Sequence, residues 1–216
     1  MGTSTTPEDD YPRDMGVETF RLAVIIGSVR AGRHGTVVAD WFIRQVEQRD
    51  ELDIDVIDLA EVDLPFDVGE RLPPDTDPTD PAVPFSSAFT VRRRLDAADA
   101  YVVVTSEYHH GNLGALRELI AGHCEAWRAK PVGFVSYGGA IGGRRAVEEV
   151  RPLFADMHAV PVRGHVALPY AWELFDEQGA PRRPAECAAA AQALLDQLAW
   201  WAVTLRRGRE ARPFAA

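Results

Sequence analysis

Cysteine is scarce in this 216-residue chain: Cys124 and Cys187 are the two present, and they do not form a C-x-x-C pair. Two such thiols cannot build a disulfide framework. They are expected to be reduced thiols in a reducing, cytoplasmic compartment. Long apolar runs are missing as well. No window approaches the ~18 apolar residues that a membrane span requires, so no membrane partner is expected. Basic runs are also missing. With a net charge of −10, the chain lacks the Lys and Arg excess through which proteins hold nucleic-acid phosphates, which argues against a nucleic-acid partner. Acidity itself bears on solubility and names no partner. Residues 1–18 have neither a basic n-region nor an apolar h-region, so a secretory signal is not expected.

Apolar residues, by contrast, are plentiful. At 46% of the chain they suffice for one sizeable core, with length to spare for tails and loops. They alternate between short β-rich runs and helical patterns. Residues 20–27 (FRLAVIIG) read as a strand covered on both faces. Residues 35–48 read as a helix with Val38, Trp41, Phe42 and Val46 on one face. Residues 52–59 (LDIDVIDL) alternate strictly, as an edge strand does. Strands are also predicted at 101–105 and 131–137 and within 157–168. Helices are predicted at 113–128, 144–154 and 184–205. Strands separated by helices imply βαβ units and a parallel sheet. Right-handed crossovers leave few topologies, of which the order 2-1-3-4-5 fits five strands with helices on both faces. No internal repeat and no second domain are apparent.

The stretch 61–84 breaks this rhythm. Pro65, Pro73, Pro74, Pro78, Pro81 and Pro84 stand among acids there, which excludes a central strand. It reads either as an exposed linker or as a loop covering an active site or a dimer partner.

After the first strand comes Gly27-Ser28-Val29-Arg30-Ala31-Gly32-Arg33-His34-Gly35-Thr36, and then a helix. A helix start offers free N–H groups and a positive dipole end. Glycines let that backbone approach an anion. Ser28 and Thr36 add hydroxyl donors, and Arg30 and Arg33 add charge-assisted bonds. The chemistry suits a phosphate, with a glycine-rich turn bearing surface arginines as the structural alternative. The Gly27-x-x-x-x-Gly32 spacing mimics a Walker A loop, but Arg33-His34 stands where Lys and Ser/Thr are required. G-x-G-x-x-G is absent, which weakens a dinucleotide-binding reading.

The loop GSVRAGRHG is similar to the GS-x-R-x-x-R-x-G loop of the NADPH-dependent FMN reductase family. In that family the loop holds the FMN phosphate, so the resemblance implies contacts from Ser28, Arg30, His34, Gly35 and Thr36. Two further segments resemble the family in the same order along the chain. Thr105-Ser106-Glu107-Tyr108-His109-His110-Gly111-Asn112 is similar to its P-E-Y-N segment, which lies along the flavin ring. Ser136-Tyr137-Gly138-Gly139-Ala140-Ile141-Gly142-Gly143-Arg144-Arg145-Ala146 is similar to its S-Y-G-G-x-x-G-G-x-R-A stretch near the ring's pyrimidine edge. The resemblance spans roughly residues 21–168. Ser106 replaces the family's proline, His109 its asparagine, and Arg117-Glu118 its lysine-asparagine. Side-chain contacts to the flavin edge are thereby put in question, while backbone contacts can survive.

What the resemblance implies is a flavodoxin-like α/β fold, a five-stranded parallel sheet of order 2-1-3-4-5 with helices on both faces. It also implies FMN and NADPH as cofactors. The implied cofactor contacts are the five phosphate-loop residues with Ser106, Glu107, Tyr108, His109, Tyr137, Gly138, Gly139 and Gly142. No side chain need act covalently, so none is assigned a catalytic role. Residues 1–18 are expected to form a flexible tail, 19–207 a single FMN-binding domain and 208–216 a C-terminal tail. The expected activity passes electrons from NAD(P)H to a small-molecule acceptor: free flavin for a monooxygenase partner, a quinone, or an azo or nitro compound. A homodimer or tetramer is expected. A flavodoxin-type carrier without its own NADPH site and a tailoring flavoenzyme are the alternatives. His109-His110 with His123 lack the carboxylate or thiolate that would complete a metal site. Glu107 reads as a structural carboxylate before a general acid, and Trp200-Trp201 as packing in the core or at a dimer seam.

Overall fold

The computed structural model describes residues 18–62, 88–107 and 114–215. The 61–84 stretch beyond residue 62, and Tyr108 and His109, lie outside the described residues. Five strands, β1 (Phe20–Ile26), β2 (Leu52–Asp58), β3 (Ala100–Ser106), β4 (Pro131–Gly138) and β5 (Val160–Pro169), form one parallel sheet. Its order is β2-β1-β3-β4-β5, as expected. β2, the alternating segment, lies at one edge, and the near-continuously apolar β1, β3 and β4 fill the centre. A strand covered on both faces has no need to alternate.

Helices cover both faces. α1 (Gly35–Val46) and α6 (Pro184–Ala211) pack on one side, with α5 (Ala171–Leu174) at its end. α2 (Ala88–Ala97), α3 (Gly114–Gly122) and α4 (Arg144–Asp156) pack on the other. α1 buries Val38, Trp41, Phe42 and Val46, the face that its spacing predicts. α6 buries Cys187, Ala191, Leu194, Leu195, Leu198 and Ala202 along a single stripe.

Two helices depart from the sequence reading, α3 and α6, and two further features, α2 and the register of β5, lie outside it. α3 stops at Gly122 rather than at residue 128. The indole N–H of Trp127 donates to the Ile120 carbonyl at 3.0 Å, taking the acceptor that the helix would have used for its next turn. α6 runs on past residue 205 to Ala211. There Arg206 and Arg209 both pair with Asp99, at 3.1 and 3.2 Å, and Arg209 also donates to the Ala129 carbonyl at 2.6 Å. α2 has a weak pattern, Ala88–Ala97 with three consecutive arginines. What anchors it is Arg94, which reaches across to bond both carboxylate oxygens of Asp55 on β2, at 2.6 and 3.0 Å. Finally, β5 carries a register shift against β4. Val132 faces Pro161 and Phe134 faces His165, so β4 advances two residues while β5 advances four.

Candidate cofactor site

The carboxyl ends of β1, β3 and β4 meet at one edge of the sheet, where open α/β sheets bind ligands. From β1 the chain turns at Gly27, whose N–H donates to the Val104 carbonyl at 2.9 Å. Ser28 is buried next to it, and Arg30 is exposed. Arg33 does not serve as an open anion ligand. Its guanidinium grips the Asp58 carboxylate at the end of β2 through two bonds, one of 2.6 Å, and also donates to the Ser28 carbonyl. Asp58 raises the arginine's already high pKa by this bonding. The pair is a clamp across the loop, and Arg30 is left as its exposed arginine.

α1 starts without a side-chain cap. His34 occupies the N-cap position and makes no capping hydrogen bond. The first helical bond runs from Val38 N–H to the His34 carbonyl at 3.1 Å. The N–H groups of Gly35, Thr36 and Val37 therefore have no intrahelical acceptor. Three aligned donors at the positive end of a helix suit a phosphate.

Gly35 is buried, and its close surroundings explain why it is glycine. A Cβ there would stand 2.8 Å from the Tyr137 hydroxyl and 3.3 Å from Ser28 Cβ. Tyr137 is 1% exposed. It carries its ring from the end of β4 into the core beside α1, so its hydroxyl braces the phosphate loop. Any contact of Tyr137 with a ring at the sheet edge is left to its backbone.

Ser106 pairs with Tyr137 across β3 and β4, and Glu107 N–H donates to the Tyr137 carbonyl at 3.1 Å. The Glu107 side chain is 16% exposed, with Arg145 3.8 Å away. Its buried Oε2 has no hydrogen-bond partner among the described residues. The glycine turn that follows β4 has mixed causes. Gly142, at φ +61°, would drive a Cβ to 2.8 Å from the Leu168 backbone nitrogen. The turn must hug β5 there, and its left-handed backbone disfavours any side chain. A Cβ on Gly138 would stand 3.1 Å from the Gly143 backbone nitrogen and 3.4 Å from Glu107 Cβ, whereas one on Gly139 would meet nothing within 4 Å among the described residues. Gly139 is thus the residue with open space beside it.

The rim beyond holds an exposed aromatic pair. Tyr170 and Trp172 follow β5 and meet edge-on, with ring centroids 5.8 Å apart. Tyr170 N–H donates to the Gly138 carbonyl at 2.8 Å. Trp200 is 61% exposed on α6 and stacks edge-on with Trp201, so it is no core residue. Sequence reasoning missed Asp58 and the pair Ser136 and His165, whose side chains touch at 2.7 Å beneath the glycine turn. An aspartate at the end of an alternating strand was the visible signal for the first. His165, in a segment without a motif, gave none.

The profile of the NADPH-dependent FMN reductase family matches residues 20–173. The chain is 33% identical over 164 residues to the NAD(P)H-dependent FMN reductase ntnL of Nectria sp, an alignment covering 70% of this chain and 76% of that protein. It is likewise 33% identical over 132 residues to the NAD(P)H-dependent FMN reductase LOT6 of Saccharomyces cerevisiae, covering 58% and 69% of the two chains. Among solved structures it resembles FerB, a flavoenzyme NAD(P)H:(acceptor) oxidoreductase of Paracoccus denitrificans. That match has a TM-score of 0.62 and 18% identity, and it covers 86% of this chain and 98% of that one. With 154 consecutive residues matched by the profile and the carboxyl ends of β1, β3 and β4 side by side in the sheet, the chain belongs to the NADPH-dependent FMN reductase family.

Proposed function

We propose that the protein is an FMN-dependent NAD(P)H oxidoreductase that passes electrons from NAD(P)H through bound flavin to free flavin, a quinone or another small organic acceptor. The observation that carries this reading is the convergence, in a member of this family, of the uncapped α1 start and the ends of β3 and β4 on one edge. FMN, when bound, supplies the redox chemistry, taking a hydride from NAD(P)H and giving electrons to the acceptor.

This chain's own residues bind and orient. The N–H groups of Gly35, Thr36 and Val37, with the side chains of Ser28, Arg30 and Thr36, form a donor set suited to the phosphate. His34 stands at the same helix start. Arg33 and Asp58 hold that loop in shape. The open side of Gly139 leaves room for a planar ring edge. Ser106 and Glu107, with Tyr108 and His109 beyond them, are proposed along the ring. Tyr170 and Trp172 offer flat apolar surface to an aromatic acceptor or nicotinamide.

The test begins with the absorption spectrum of the purified protein, which should carry the yellow FMN band or acquire it on reconstitution. The holoprotein should then oxidise NADPH faster when a quinone or free FMN is added, with NADPH preferred over NADH in kcat/KM. A protein that neither binds FMN nor oxidises either nucleotide overturns the proposal. The family resemblance also supports a homodimer or tetramer. Light scattering at micromolar concentration should give a mass above the 23.8 kDa of one chain, and a single species at that mass counts against it.

A further inference from the structure

The glycine turn at residues 139–143 is held from below by a buried serine and a half-buried histidine to which the proposed function gives no role. Ser136 lies on β4 and is fully buried. Its hydroxyl oxygen is 2.6 Å from the Gly142 carbonyl oxygen and 2.7 Å from Nε2 of His165 on β5. A carbonyl can only accept, and a serine has one proton. That proton therefore goes to Gly142, and His165 must donate to Ser136 from Nε2. The chain of bonds has one direction: His165 Nε2–H to Ser136 Oγ–H to Gly142 C=O. Burial suppresses protonation of His165, lowering its pKa to about 4. The neutral ring then carries its one hydrogen on Nε2, and Nδ1 is the bare nitrogen.

The register of the sheet sets this meeting up. Because β5 gains two residues on β4 between Pro161 and His165, His165 stands opposite Phe134, next to Ser136. Among the described residues, the other hydrogen bonds that fasten the turn are backbone ones. Gly142 N–H donates to the Gly139 carbonyl at 2.9 Å, and Tyr170 N–H donates to the Gly138 carbonyl. Among the described residues, the side chain bonded to the turn's own carbonyls is that of Ser136, which His165 orients.

We propose that Ser136 and His165 are positioning residues, which fix the 139–143 turn in the shape that accepts the flavin ring's edge. The inference rests on the proposed function, in which that turn borders the ring. Neither side chain need touch the flavin. Their effect passes through the Gly142 carbonyl to the backbone on either side of Gly139.

Four proteins test this: wild type, Ser136→Ala, His165→Leu and His165→Gln. Each is read by FMN fluorescence titration of the apoprotein, amide hydrogen exchange of residues 139–144 and thermal melting. Loss of a buried hydrogen bond of this kind corresponds to roughly a threefold to thirtyfold change in an equilibrium. Ser136→Ala and His165→Leu should weaken FMN binding by about that factor and speed exchange in the turn, with exchange in β1 unchanged. His165→Gln places an amide N–H where Nε2–H stood, and should return affinity to within about threefold of wild type. If His165→Leu does not fold, Ser136→Ala and His165→Gln still decide. Unchanged exchange in the turn of Ser136→Ala overturns the positioning role. Faster exchange with unchanged FMN affinity overturns the placement of the ring at this turn while leaving the bond chain intact. If wild type binds no FMN, the proposed function fails, and the exchange data alone judge the bond chain.

Discussion

The Tyr137 hydroxyl occupies the space that a side chain on Gly35 would need, 2.8 Å from where its Cβ would stand. A residue near the carboxyl end of β4 thus sets the identity of the first residue of α1. The two loops that the sequence offers as separate ligand contacts are one mechanical unit. Pressure on one is felt by the other because close-packed interiors transmit strain.

This relationship predicts a thermodynamic coupling. Gly35→Ala should destabilise the protein by about 1–3 kcal/mol through overpacking. In a Tyr137→Phe background, which removes the obstructing oxygen, the same substitution should cost clearly less. Urea unfolding of the two single variants and the double variant measures the coupling. Strict additivity would mean that the hydroxyl and the glycine do not constrain each other.

The Arg33–Asp58 clamp predicts a result with an unexpected sign. If simple charge decided phosphate affinity, removing Asp58 would strengthen anion binding. The clamp predicts the reverse: Asp58→Ala should weaken FMN binding by about tenfold, because Arg33 no longer fixes the Ser28 carbonyl and the loop loses its shape. Arg30→Ala should weaken binding roughly tenfold to a hundredfold, as expected for one charge-assisted bond of about 1.5–3 kcal/mol. Tighter FMN binding by Asp58→Ala would show that Arg33 is released to act as a phosphate ligand.

The glycine turn separates steric from structural roles. Gly139→Val should leave the fold and melting temperature close to wild type, since a Cβ there meets nothing within 4 Å among the described residues, yet block the flavin edge. Gly142→Val should instead lower stability, being forced to φ +61° against the β5 backbone. Gly138→Val is the less clean probe, because its Cβ meets the turn itself. Circular dichroism melts alongside FMN titration distinguish these cases. Normal FMN affinity in Gly139→Val would move the ring away from this turn.

A buried histidine, His123, and a half-buried one, His165, predict an acid-labile fold. Burial, reinforced by Arg92 beside His123 and by Arg144 and Arg151 beside His165, lowers both pKa values from 6.5 to about 4. Between those values the unfolded chain binds protons that the folded protein refuses. Stability should therefore be full above about pH 6.5 and fall as the pH drops towards 4. Urea midpoints measured at pH 7, 6 and 5 should decline steadily. A His165→Gln variant, with one such group removed, should decline less steeply. Equal slopes would assign the acid sensitivity elsewhere.

The sequence by itself determined the sheet and the location of its ligand edge. Near-continuous apolarity in β1, β3 and β4 and the apolar–acidic alternation of residues 52–56 in β2 are local signals, since a strand's period depends only on which faces are covered. The three loops were legible because glycines, hydroxyls and arginines after a strand carry their chemistry in the chain order itself. Tertiary structure decided what each of those residues touches. Arg33 reads as an anion ligand until the register of β1 against β2 brings Asp58 beside the loop. Tyr137 reads as a ring-edge residue until its side chain is seen buried against Gly35. α3 should have run on, but Trp127 folded back and took the Ile120 carbonyl. His165 acquires its serine only through a two-residue shift between two strands. Each is a contact between residues distant in sequence or turned back on it. Such contacts are fixed by strand register and the rotamers that packing allows, and nothing in a local pattern encodes them.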